Sequence, residues 1–106
     1  MSESQLVHDI MVSLGKYGAV YRCNSGVVAL PNGRRFNGMP KGFSDILFIR
    51  HDGMSCFIEC KIGRGKLSPE QERFIAKMQS LNARAGVARS VSEALEICGL
   101  NMANNP

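Results

Sequence analysis

With 106 residues the chain has room for one domain and little more. A composition of 44% hydrophobic and 21% charged residues excludes a disordered or fibrous chain, and no apolar run nears the roughly 20 residues a membrane span needs. The net charge of +4 leans toward an anionic partner without naming one.

The opening residues, Met1 to Gln5, lack the basic-then-apolar layout of a signal peptide, so an intracellular protein is expected. The four cysteines, at 23, 56, 60 and 98, contain no Cys-x-x-Cys pair. That spacing argues against a structural zinc and for reduced, partly buried thiols.

In chain order, Leu6, Val7, Ile10, Met11 and Leu14 recur at helical period. Ser2 and Gln5 have the spacing of a capping box, and Gly15 or Gly18 supplies the stop. Ala19 to Cys23 reads as a short strand. Residues 24–42 hold six glycines or prolines and the pairs Asn32-Gly33 and Asn37-Gly38, so a hairpin or loop carrying Arg34 and Arg35 is expected. Strands follow at Ser44 to Arg50 and Cys56 to Ile62, joined by a turn at His51-Asp52-Gly53. Gly63 to Lys66 is a flexible basic loop. Ser68-Pro69-Glu70-Gln71 opens a helix with a cap, a proline at its first position and a box residue at its third. Phe74, Ile75, Met78 and Leu81 form its buried face. A strand at Val87 to Ser90 and a helix at Val91 to Cys98 complete the chain. The expected fold is α/β, a mixed central β-sheet flanked by helices in one domain over residues 1–100, with residues 101–106 as a frayed tail. The aromatic residues, Tyr17 and Tyr21 included, read as core.

Basic residues concentrate in the middle. Between Arg22 and Lys66 stand eight of them against three acids, Asp45, Asp52 and Glu59. In Cys56 to Lys61, alternation puts Glu59 and Lys61 on one face of a segment otherwise apolar enough for a sheet interior. Pairing about the turn at Asp52 and Gly53 sets Asp45 roughly across from residues 59 to 61. Two carboxylates suffice to hold Mg2+, and a lysine beside them can orient water and stabilise charge on phosphorus. By spacing alone, Glu59 and Lys61 fit a same-face salt bridge equally well.

The ordered set Gly42-Phe43-Ser44-Asp45-Ile46, Ile58-Glu59-Cys60-Lys61 and Leu67-Ser68-Pro69-Glu70-Gln71 resembles the PD-(D/E)XK nuclease core. An early helical Glu3 and the segment Tyr21 to Gly26 make it similar to the virus-type replication–repair nuclease (VRR-NUC) branch over nearly the whole chain. The resemblance implies a restriction-endonuclease-like fold and a metal-dependent endodeoxyribonuclease. It implies that Asp45, Glu59 and the backbone carbonyl of Cys60 bind Mg2+ or Mn2+, that Lys61 is catalytic, that Gln71 completes the site and that Glu3 lies near the metal. The family's usual proline before the Asp is Ser44 here. Glu3 and Gln71 also have plain readings, as a first-turn acid and as half of a capping box. Arg22, Asn24, Arg34, Arg35, Lys41, Arg64 and Lys66 are candidate DNA contacts. Resemblance to stand-alone members implies a homodimer that cuts branched DNA such as four-way (Holliday) junctions in DNA repair, and a phage or viral source fits it. An inactive DNA-binding module and a sequence-specific restriction-type endonuclease remain alternatives.

Overall fold

A computed structural model describes residues 1–23 and 27–100. The expected tail at 101–106 lies outside them. Helix α1 spans Glu3–Leu14 and is followed by strand β1, Gly18–Arg22. Strands β2 (Val27–Ala29) and β3 (Arg35–Asn37) pair with each other, antiparallel, as a separate two-stranded sheet. Gly33, at φ 82°, makes the turn between them at the first Asn-Gly pair. The second pair, Asn37-Gly38, ends β3 and makes no hairpin turn. Strands β4 (Ile46–Arg50) and β5 (Ser55–Cys60), helix α2 (Pro69–Ser80), strand β6 (Arg84–Ala88) and helix α3 (Val91–Ile97) follow.

The main sheet has the order β1-β4-β5-β6. β1 and β5 run antiparallel to β4, and β6 runs parallel to β5 across the α2 crossover. This is the mixed, helix-flanked α/β sheet that the sequence pattern calls for. One face is the core. Leu6, Val7, Ile10 and Leu14 of α1 pack with Ala94 and Cys98 from α3 and its cap against Ile46, Phe48, Cys56, Ile58, Cys60 and Ala88. All four cysteines are free thiols, and three of them are buried in this layer or at its edge.

The other face is covered differently. Phe57 points there, and with Phe43 and Phe74 of α2 it forms an aromatic cluster with ring centroids 4.6 to 5.8 Å apart. α2 lies chiefly over β5 and β6, and it has no fully buried residue. The expectation of Leu81 in its buried face fails. Leu81 caps the helix and is 60% exposed. Tyr21, expected in the core, is 56% exposed on β1. Leu81 is exposed because it caps the end of the helix, and Tyr21 because β1 lies at the sheet edge away from α2.

Two local features place the site. Gly42 has φ 92°, and a Cβ there would lie 2.7 Å from the backbone of Glu70. Only glycine lets this segment cross so closely against the first turn of α2. Ser44, buried, donates its hydroxyl to the Ile46 carbonyl at 3.1 Å and closes the bend that leads Asp45 into β4. Ser2 with Gln5, Ser68 with Gln71 and Ser90 with Glu93 all have the spacing of a capping box, and one of the three forms completely. Ser68 Oγ accepts from Gln71 N and Gln71 Oε1 accepts from Ser68 N. At α1, Ser2 Oγ accepts from Gln5 N, but the Gln5 side chain donates to Asp9 instead of accepting from the cap backbone. At α3, Ser90 Oγ accepts from Glu93 N, while Glu93 accepts from the backbone of Arg89, one residue before the cap.

Candidate active site

Asp45 and Glu59 meet because the β4–β5 turn fixes their register. Gly53, at φ 87°, allows the tight return at Arg50 to Met54, and the strands then pair with Ile46 opposite Ile58. One step further along, Asp45 stands opposite Glu59 on the face that α2 covers. In an extended strand the N–H and C=O of one residue point the same way. Lys61 N donates to Ala88 O of β6, so the neighbouring Cys60 N–H faces β4, where Asp45 Oδ2 accepts it at 2.8 Å. The Cys60 carbonyl is turned toward the same side.

Glu59 is a charge-bearing side chain in a sheet interior, with only 3% of its surface exposed. Gln71 Nε2 donates to its Oε1 at 3.1 Å. Its Oε2 is buried without a hydrogen-bond partner. Burial first, then the negative charge of Asp45 close by, pushes its pKa up to about 8. Lys61 pulls the other way, and Glu3 adds a smaller upward push. Among the described residues Glu59 and Lys61 form no ion pair, so the salt-bridge reading of their spacing does not hold. Gln71 does two jobs at once: its Oε1 closes the Ser68 box and its amide nitrogen holds Glu59.

Arg22 lies 3.7 Å from Asp45 Oδ1. Glu3 sits in the first turn of α1, is exposed, and reaches the carboxylate pair through its charge alone. Among the described residues no group of three His, Cys, Asp or Glu side chains is placed to hold a metal ion. Were a cation bound here, Asp45, Glu59 and the Cys60 carbonyl would be the protein groups to hold it, with water for the rest. These residues fit such a group. Two carboxylates face each other with one oxygen lacking a donor, which is the deficit a hard divalent ion corrects. The Cys60 thiol, pushed up to about 12 by its burial and by the charges of Asp45 and Glu59, is no thiolate ligand. Of the other basic candidates, Arg34, Arg35, Lys41, Arg64 and Lys66 are exposed. Asn24 lies outside the described residues.

Sequence reasoning missed two residues near the site. Tyr21 shares the sheet face of Asp45 and Glu59, since it pairs with Leu47 in the next row. Arg89 donates to the carbonyls of Gly63 and Gly65, beside Lys61. Tyr21 opens a segment that carries the family resemblance but was read as core, and no motif marks Arg89; both places depend on what packs next to what.

The VRR-NUC domain family model matches residues 7–92. The chain belongs to the VRR-NUC domain family. Membership implies a nuclease-type function, with DNA as the substrate. A solved VRR-NUC domain structure superposes with a TM-score of 0.65 at 22% identity, covering 92% of this chain and 94% of that one. This VRR-NUC chain thus shares the whole of that fold, in agreement with a restriction-endonuclease-like core. No curated protein matches the chain, and no helix among its described residues is long and apolar enough to cross a membrane.

The double bond of Gln71 makes a separable test. Gln71→Glu keeps an acceptor for Ser68 N but replaces the Glu59 donor with a carboxylate. It should lower the thermal midpoint at pH 7, where a third carboxylate crowds the site, and recover part of the loss at pH 5, as the cluster takes up protons. Gln71→Ala should lose about 1 kcal/mol of stability at both pH values, the usual cost of a lost cap. Melting curves of the two variants at both pH values check this. Equal losses at pH 5 and pH 7 for Gln71→Glu would mean that the amide does not hold Glu59.

Proposed function

We propose that the protein is a Mg2+- or Mn2+-dependent endodeoxyribonuclease selective for branched DNA, four-way junctions above all, and that it acts as a homodimer. The observation that carries this reading is the meeting of Asp45 and Glu59 across β4 and β5, with Lys61 just past the end of β5 and near enough for its charge to act on Glu59. Bound Mg2+ or Mn2+ supplies Lewis-acid polarisation of the scissile phosphate. Lys61 orients the attacking water and stabilises the negative charge that grows on phosphorus. Gln71 keeps Glu59 in one rotamer, and the Cys60 N–H does the same for Asp45.

Selectivity for shape is supported by cations that read phosphate positions and not bases. The exposed cations Arg34, Arg35, Lys41, Arg64 and Lys66 contact phosphates, which gives salt-sensitive affinity without sequence preference. Exposed Tyr21 adds an aromatic surface on the site's own face, suited to a base unstacked at a branch point. One site per chain cuts two strands only if two copies act together, and a two-fold dimer matches the symmetry of a four-way junction.

The test is a panel of junction, flap and linear duplex DNA with Mg2+, Mn2+ or chelator, alongside sedimentation of the purified protein. Metal-dependent nicks near the branch of the junction, from a particle of two chains, are expected. Binding without any cut product would leave a DNA-binding module. A single cut sequence in linear duplex would point to a restriction-type enzyme.

A further inference from the structure

The loop after Lys61 carries two exposed cations, Arg64 and Lys66, and neither has an acidic partner among the described residues. Left to itself such a loop should wander. It contains Gly63, at φ 55°, and Gly65, and its own described hydrogen bond is the one from Gly65 N to Ile62 O at 3.0 Å. Flexible cations contribute little to binding, because each contact must overcome the ordering of its segment.

Arg89 supplies the missing restraint. Its Nη1 donates to Gly63 O at 3.1 Å and its Nη2 to Gly65 O at 2.7 Å, so the guanidinium fork bridges the carbonyls on either side of Arg64. The preceding residue, Ala88, accepts from Lys61 N at 3.2 Å. The end of β6 therefore grips this chain at residues 61, 63 and 65 in turn. Arg89 is itself anchored, since its backbone N–H donates to Glu93 Oε1 at 2.7 Å in the first turn of α3. Among the described residues no carboxylate pairs with its guanidinium.

We propose that Arg89 is a positioning residue, which preforms the 63–66 loop so that Arg64 and Lys66 present a fixed phosphate grip beside Lys61. The proposal rests on the nuclease reading for its substrate but not for its geometry. The planar fork is what matters, and lysine cannot reproduce it.

Arg89→Ala and Arg89→Lys are compared with wild type in the full chain. In DNA-free protein, amide exchange at Gly65 should rise in both variants. KM for junction DNA at physiological salt should rise about tenfold in both, with kcat within about twofold, the signature of lost uniform binding. The slope of log affinity against log salt should become shallower by about 1 to 2, since each phosphate contact contributes about 0.9. With Arg64 and Lys66 already changed to Ala, adding Arg89→Ala should cost no further affinity. Full rescue by lysine, a further loss in that background, or a fall in kcat alone would each overturn the proposal, as would unchanged exchange at Gly65. If wild type binds DNA but cuts none, affinity replaces KM. The nuclease reading then fails while the clamp is still judged by exchange and binding.

Discussion

Asp45→Asn and Lys61→Ala should each lower junction cleavage at least about 100-fold while leaving a folded protein that still binds DNA. Asp45→Asn is the sharper of the two. The asparagine carbonyl can still accept the Cys60 N–H that Asp45 Oδ2 takes at 2.8 Å, so the bend of β4 onto β5 survives. What disappears is the negative charge facing Glu59. The repulsion that raises the Glu59 pKa goes with it, so the metal-free variant should be at least as stable as wild type at neutral pH. Lys61 is half-buried and follows the last residue of β5. Its removal deletes one cation and should make the salt dependence of binding shallower by about one contact. Single-turnover cleavage with saturating protein, together with chemical denaturation, measures both halves. Cleavage by Lys61→Ala at the wild-type rate would remove the proposed mechanism, and an unfolded Asp45→Asn would show that the charge, not its hydrogen bond, holds the strand.

How much of this was legible in the sequence depended on whether a neighbour along the chain or a neighbour in space decides the outcome. The α2 start is local: serine, proline and glutamine at fixed spacing, and the capping box forms as written. The pairing of Asp45 with Glu59 is nearly local, because a two-stranded return about Gly53 leaves few registers open once the apolar faces must match. Gln71 read equally well as cap or site residue, and the structure uses it as both, since one amide has a separate donor and acceptor. The misreadings concern coverage. Tyr21 and Leu81 are apolar by composition, but whether they are buried depends on where α2 ends and where it lies across the sheet, and no pattern within either segment encodes that. Arg89 was invisible for the same reason. It is 26 residues from Gly63, and only the parallel placement of β6 beside β5 brings them together.

The site also has a cost to the metal-free fold, with a definite sign in pH. Glu59 has an ordinary pKa of 4.5 and one raised to about 8 in the folded protein. Between those values the folded chain holds a proton that the unfolded chain has released, so stability falls as pH rises. The contribution is fully present below about pH 4.5 and is lost as pH passes 8. Each unit of displacement is worth about 1.4 kcal/mol, so the swing is on the order of a few kcal/mol. Glu59→Gln removes it. A glutamine can accept from Gln71 without ever ionising, so the variant's stability should stay nearly flat while wild type declines from pH 5 to pH 9 in chelator. Taking the difference between the two proteins cancels the titrating groups that do not interact with Glu59. Mg2+ requires the deprotonated carboxylate, so it should stabilise wild type more at pH 8.5 than at pH 6 and should do little for Glu59→Gln at either. Parallel stability curves for the two proteins, with equal responses to Mg2+, would mean that Glu59 neither bears the buried charge nor binds the ion. The opposite outcome, a variant more stable than wild type at pH 8.5 and without nuclease activity, would measure directly the stability that this fold gives up to keep two carboxylates facing each other.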